Sequence, residues 1–299
     1  MSTLSPPDVP HRVVRSPGRV ALRRALRHGS FWIGGTIIVV ITLAAIFAPL
    51  LTVHDPGAQD LSARYVPPIW EEGGSMEHVF GTDGLGRDVF ARLLYGARIS
   101  LLLGFLTVLI SGIIGTVMGV AAGYFGGKVD LVINFLITIR LTLPVVLIAL
   151  VVVALIGSSL PLLIVVIGLL LWDRFAIVVR AATQQLAHRE YIVSARTIGS
   201  STWRILLKEI LPNITGPLTV VASVELAHAI LLEAALSFLG LGVQPPDVSW
   251  GLMVSEAKNQ LLFRPWMIAI PGVALVLLIL AINLVGDAVR DVTTPEGKA

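Results

Sequence analysis

LVINFLITIRLTLPVVLIALVVVALIGSSLPLLIVVIGLLLW, residues 131–172, runs for 42 residues with one charged side chain, Arg140. A bilayer's hydrocarbon core is about 30 Å thick and takes about 20 apolar residues per helix, so this run exceeds one crossing and suits a hairpin. Gly157, Ser158 and Ser159, with Pro161 just beyond, are the place to break it, because glycine and proline interrupt helices. The reading is two spans, 131–157 and 160–178.

Working outward, four further apolar stretches complete a set of six spans: 31–53, 99–125, 214–236 and 265–286. The span 99–125 carries Gly104, Gly112, Gly115, Gly119 and Gly123, small residues that let helices approach closely in lipid. Between the spans lie 54–98 and 237–264, expected outside, and the charged stretch 179–213, expected inside with the tails 1–30 and 287–299. Lys and Arg decide the orientation: with Arg174 counted inside, the inner side holds fifteen of the 22 and the outer loops six. Both termini are therefore expected in the cytoplasm. Residues 19–28, RVALRRALRH, read as a basic amphipathic helix on the inner surface, and 31–53 as a retained signal anchor.

Composition agrees and excludes other classes. The chain is 55% hydrophobic and only 14% charged, far from soluble averages. Its net charge of +3 is explained by basic flanks of spans, which leaves no case for nucleic acid. Without cysteine there are no disulfides, thiol nucleophiles or Cys-ligated metal centres. No G-x-x-x-x-G-K-S/T phosphate loop occurs, and GYFGGKVD at 123–130 lacks both the glycine spacing and the Ser or Thr. Any ATP-driven motor must sit on another chain.

One inner segment stands out: REYIVSARTIGSSTWRILLKEILPN, 189–213. Two short helical stretches flank Gly199 to Thr202, whose hydroxyls can cap the second helix, and Leu211-Pro212 ends it. Ile205, Leu206 and Ile210 would anchor one side. Pattern alone leaves this as either a docking element or an ordinary amphipathic connector.

Ala195, three residues and Gly199, with Pro212 after twelve more, resemble the coupling loop of binding-protein-dependent ABC importer permeases. Three other segments, HVFGTDGLGRDVFARLLYGARISLLLG (78–104), EAALSFLGLGVQPPDVSWG (233–251) and NLVGDAVRD (283–291), resemble the dipeptide, oligopeptide and nickel group, specifically its second, C-type pore subunit. The resemblance implies an all-α type I ABC importer permease fold with one permease domain over about 95–290, in a bacterial inner or plasma membrane. It implies a homologous second permease subunit, two ATPase subunits that carry the ATP and Mg, and an extracytoplasmic solute-binding protein, with no cofactor on this chain. Peptide uptake by alternating access is the implied activity, with nickel chelates or haem as further solutes. Coupling would fall to Glu190, Tyr191, Ser194, Ala195, Arg196, Gly199, Ser200, Leu211 and Pro212. Val193 stands where the family carries an acidic residue, and Ser194 where it carries alanine, so the docking register is not transferable.

Two other constellations invite chemistry. In GTDGLGRD, residues 81–88, the EF-hand spacing is missing, and the expectation is a structural turn built on Gly81, Asp83, Gly86, Arg87 and Asp88. Glu225, His228 and Glu233 share an arc of one helix, and ionisable groups in spans rarely face lipid, so with Arg140 they are candidates for a translocation path. Arg140 has a second reading, snorkelling to the inner surface, and Glu233 a second, bonding the outer loop. Glu-x-x-His occurs once where carboxylate-bridged metal centres need two copies, so no metal centre is expected. An ion-driven carrier using Glu225 and His228 as a proton relay is the rival reading.

Overall fold

The computed structural model describes residues 29–293; the expected helix at 19–28 and the end of the tail lie outside them. Among the described residues the regular elements are helical, apart from one isolated bridge between Thr82 and Asp88. In chain order the main helices are α1 Gly29–Ile46, α2 Val89–Phe125, α3 Gly127–Thr142, α4 Val145–Ile156, α5 Leu160–Leu170, α6 Trp172–Ala187, α7 Glu190–Thr197, α8 Thr215–Phe238, α9 Trp250–Ala257 and α10 Trp266–Thr293. Helices α1, α2, α8, α10 and the α5–α6 unit are each long and apolar enough to cross a membrane, and α3 with α4 forms a sixth candidate span bent by 82°.

The bend falls inside the span expected at 131–157. Pro144 supplies no N–H and forces its neighbour out of helical conformation, so Leu143 is extended at φ −97°, ψ 125° and the helix restarts at Val145. A second interruption, at Leu171, divides the expected span 160–178, whose helix then runs on to Ala187. Expected loop 54–98 also yields ground, since α2 begins at Val89, capped by the Asp88 carboxylate accepting from Ala91 N at 2.6 Å. With 37 residues, α2 is about 55 Å long and must project well beyond a 30 Å core. The external loop 237–264 likewise contains a helix, α9.

Helix α2 is the spine. Its inner half packs on α6 through Gly115, Gly119 and Gly123 at i, i+4 spacing. A Cβ added at Gly119 would stand 2.7 Å from Ala176 O and 2.8 Å from Val179 Cβ, and one at Gly115 would strike Phe175 Cβ and Trp172 O. Backbone cannot yield as a flexible side chain can, so close approach here requires glycine. Gly119→Val is expected to cost at least the 1–3 kcal/mol typical of overpacking, about 3 kcal/mol where helices must part. Loss of the monodisperse detergent peak and a lowered melting temperature would register it.

Three of the four buried apolar clusters among the described residues bear on the regions below. Trp250, Met253, Trp266 and Leu278 lie in the first, beneath the outer loops. Leu103, Leu163, Ile167 and Leu236 centre the second. Val179, Ile192, Ile205, Ile210 and Ile214 form the third, which fixes the inner segment to α6.

Candidate functional site

The inner segment folds as two short helices around a tight turn. Its first helix, α7, ends in a Schellman motif: Ser200 N donates to Ala195 O and Gly199 N to Arg196 O, both at 3.0 Å. This motif needs a left-handed residue at its close, and Gly199 supplies φ +81°. After it, Ser201 Oγ accepts from Arg204 N at 3.4 Å, and the helix proceeds through a π-helical stretch, Ile205–Ile210, to a last turn at Leu211–Asn213. Ile192, Ile205, Leu206 and Ile210 point into the third cluster, while Glu190, Tyr191, Ser194, Arg196 and Pro212 are exposed and Ala195, Ser200 and Leu211 half-buried. Arg196 stacks its guanidinium 4.3 Å above the Tyr124 ring at the inner end of α2.

On the side away from the bundle, Ile198 and Trp203 are 81% and 73% exposed, with Leu207 and Val193 beside them. Nothing lies within 4 Å of where a Gly199 Cβ would point. The segment therefore has one face locked to α6 and one apolar face left open.

Farther up, the two helix interruptions create a charged cavity of about 460 Å³, lined by Arg140, Pro144, Asp173, Arg174 and His228 among others. Arg140 Nε donates to Leu170 O at 2.6 Å, capping a carbonyl released by the break at Leu171, and its Nη2 lies 4.0 Å from Asp173 Oδ1. Fourteenth in α3, it turns its side chain toward Leu170 and Asp173. Arg174 Nη1 reaches His228 Nδ1 at 3.1 Å and Glu225 Oε1 at 3.4 Å, and His228 Nδ1 lies 3.3 Å from the same oxygen. Glu225 is fully buried, with Oε2 lacking a hydrogen-bond partner among the described residues. It lines an adjoining cavity of about 440 Å³ that shares Arg174 with the first.

Glu233 is placed elsewhere. Its Oε1 accepts from Ser237 and Ser249, each at 2.7 Å, which ties α8 to the loop ahead of α9, and it lines neither cavity. Of its two expected roles the geometry fits the bond to the outer loop rather than the path, the carboxyl standing five residues, about one and a half turns, beyond His228. Asp173 and Arg174 were missed because they read as the start of the charged inner stretch. Only the break at Leu171 brings them into the bundle.

At the outer end, the turn 81–88 is ionic and buried. Asp83 Oδ1 accepts from Leu85 N and Arg87 N at 2.8 and 3.0 Å, and Oδ2 accepts from Arg87 Nε at 2.7 Å and from Arg92 Nη1. Both arginines also reach Glu256 of α9, at 3.0 and 2.7 Å. Gly86 holds φ +74°, and a Cβ there would strike the Asp60 carbonyl; Gly81 is the other left-handed residue. Burial pushes the Asp83 carboxyl up, but Arg92, Arg87 and the two amides outweigh it and hold it below the usual range. Asp88 takes no part in this pairing, being engaged at the start of α2 and with His78. Arg92 and Glu256 join it unforeseen: no local pattern links positions 169 residues apart such as Arg87 and Glu256.

Comparison with known proteins identifies the family. Residues 115–296 match the family described as binding-protein-dependent transport system inner membrane component, and residues 16–68 the N-terminal TM domain of oligopeptide transport permease C. The chain is 38% identical to the dipeptide transport system permease protein DppC of Haemophilus influenzae, over 89% of this chain and 90% of that one. It is 38% identical to the di/tripeptide transport system permease protein DppC of Pseudomonas aeruginosa (92% and 91% covered). Against the glutathione transport system permease protein GsiD of Pectobacterium atrosepticum it is 36% identical (98% and 96%). A chain of the inward-facing MetNI methionine ABC transporter superposes with a TM-score of 0.53 at 20% identity, over 68% of this chain and 96% of that chain, a likeness of fold.

Proposed function

The chain belongs to the binding-protein-dependent transport system inner membrane components, and from that we propose that it is the pore subunit through which an ABC importer moves small peptides into the cell. The observation that carries this is full-length identity of 36–38% to permeases named for dipeptides, di/tripeptides and glutathione. Those solutes carry charge at both ends. A cavity presenting Arg140, Arg174 and His228 against Asp173, and Glu225 behind Arg174, supports passage of such a zwitterion.

The partners follow in the same reading: a homologous second permease completes the pore, two ATPase subunits bind and hydrolyse ATP with Mg, and an extracytoplasmic binding protein delivers solute. The open apolar face of 190–213 docks on an ATPase, and the third buried cluster passes its movement to α6. Because α6 begins at Trp172, beside Asp173 and Arg174, the same helix joins the docking site to the charged cavity. The chain needs no cofactor and carries no covalent chemistry.

In proteoliposomes holding the full importer, dipeptide uptake should stop when the phosphate-loop Lys of the partner ATPase is replaced, and persist with an uncoupler. Uptake that survives the first and fails in the second would establish the ion-driven carrier instead. Within the cavity, Arg174→Ala leaves the buried Glu225 carboxylate with His228 beside it; because Arg174 is itself half exposed, water takes part of its place and the cost falls below the roughly 3–5 kcal/mol of a fully buried pair. We expect uptake to fall about tenfold or more and the Glu225→Gln/Arg174→Ala double variant to recover folding, with uptake read in the same vesicles.

A further inference from the structure

Outside the cavity and the docking segment, two loop histidines and a helix-capping carboxylate meet on the outer face. The candidate ligand atoms of His54, His78 and Asp88 all lie within 4.8 Å of one another. The imidazole rings stack, with centroids 4.8 Å apart and planes at 34°. His78 Nδ1 and Asp88 Oδ2 are 2.9 Å apart.

Each group is held by a second bond or by burial. Asp88 is 4% exposed, and its other oxygen accepts from Ala91 N, so its free oxygen is aimed at the histidines. His54 Nε2 lies 2.9 Å from Glu77 O, and a carbonyl only accepts, so Nε2 carries the proton and a neutral ring keeps its lone pair on Nδ1. An outer bond from one imidazole nitrogen to a carbonyl is the arrangement that orients metal-ligating histidines. Ordinary pairing explains His78 with Asp88; it does not explain why a second imidazole is stacked there.

We infer that His54, His78 and Asp88 form a three-ligand site for a divalent transition ion of the zinc class, which staples the segment after α1 to the start of α2. Two imidazole nitrogens and one carboxylate suit zinc, whereas calcium and magnesium prefer all-oxygen sets. Bonds of about 2.0–2.1 Å to a tetrahedral ion place ligand atoms roughly 3.4 Å apart, so the widest separation, up to 4.8 Å, closes by as much as about 1.4 Å while His78 Nδ1 and Asp88 Oδ2, now 2.9 Å apart, open by about 0.5 Å as the ion binds. His78 changes tautomer as the ion binds, its Nδ1 proton being exchanged through solvent for one on Nε2, so that a neutral ring offers Nδ1 to the ion and water fills the fourth position. This revises the expectation of a chain without metal, and it stands independently of the solute carried.

The test uses the full-length chain, co-purified with its partner permease, stripped with chelator and titrated with Zn2+ by calorimetry, with bound metal counted by mass spectrometry. One zinc per chain is expected. His54→Ala and His78→Ala should each weaken binding at least about 100-fold, beyond the 10–100-fold typical of losing an outer-shell partner. Asp88→Asn keeps an oxygen for the cap and loses the anionic ligand, so it should weaken binding without disturbing α2. Zinc should raise the melting temperature of the wild type and leave that of the His54→Ala/His78→Ala variant unchanged. No stoichiometric uptake by the wild type at micromolar free zinc overturns the inference, and so does stoichiometric uptake that survives the double substitution.

Discussion

Gly199→Glu is expected to cut solute uptake at least about tenfold while the chain still inserts and purifies with its partner permease. The turn at Gly199 closes the Schellman motif at φ +81°, where a residue with a Cβ costs roughly 1–2 kcal/mol, so glutamate first strains the corner that separates the two short helices. Second, it sets a carboxylate on the open face beside Ile198 and Trp203, where an apolar partner surface would have to desolvate it. Together these exceed the 1.4 kcal/mol that corresponds to a tenfold loss, and uptake should drop by at least about tenfold. The two causes separate experimentally. Gly199→Asn tolerates the left-handed conformation without charge and should retain most uptake, and Gly199→Asp tolerates it with charge and should not. ATPase activity stimulated by the binding protein, measured alongside uptake, should follow the same order. Normal uptake by the glutamate variant with the ATPase still bound would show that this turn does not dock.

The same turn shows what the sequence carries and what it does not. Gly199, the hydroxyls after it and Ile205, Leu206 and Ile210 are local signals, and each does in the structure what its residue type dictates. The apolar run 131–172 likewise announces a hairpin, and the helix is interrupted between Ile156 and Leu160 at the glycine and serines; the bend at Pro144 is not part of a reading that takes 131–157 as one span. Two features were illegible for the opposite reason. No punctuation residue marks the break at Leu171; the chain there is Leu169, Leu170, Leu171, and the break is stabilised across space by Arg140 on another helix. Likewise the Arg87–Glu256 pair joins segments that meet only once six helices have packed. Periodicity and capping report local conformation. Long-range ion pairs depend on the whole bundle, and both charged regions of this protein are made of them.

Asp83→Ala should destabilise the outer half of the protein by about 3–5 kcal/mol, the cost of removing one partner from a buried ionic set. Asp83, Arg87 and Arg92 are 5%, 8% and 3% exposed, and without Asp83 the two guanidinium groups share only Glu256. Two amides, of Leu85 and Arg87, lose their acceptor as well. Since Glu256 lies on α9, which also receives the Ser249–Glu233 bond, the effect should spread from the turn to the loop above the cavity. Hydrogen exchange across 81–95 and 249–260 should rise together. Asp83→Asn keeps an oxygen for the amides while losing the charge, so it should fall between wild type and alanine. The pH dependence has a definite sign. A carboxylate whose folded value lies below its usual 3.8 contributes stability that is fully present above the unfolded value and is lost as pH falls through the folded one. The melting temperature of the wild type should therefore owe nothing to this group's titration between pH 7 and pH 5, and the gap between wild type and Asp83→Ala should close only below about pH 4. A gap that already narrows between pH 7 and pH 6 would mean that Asp83 is protonated more readily than the two arginines allow.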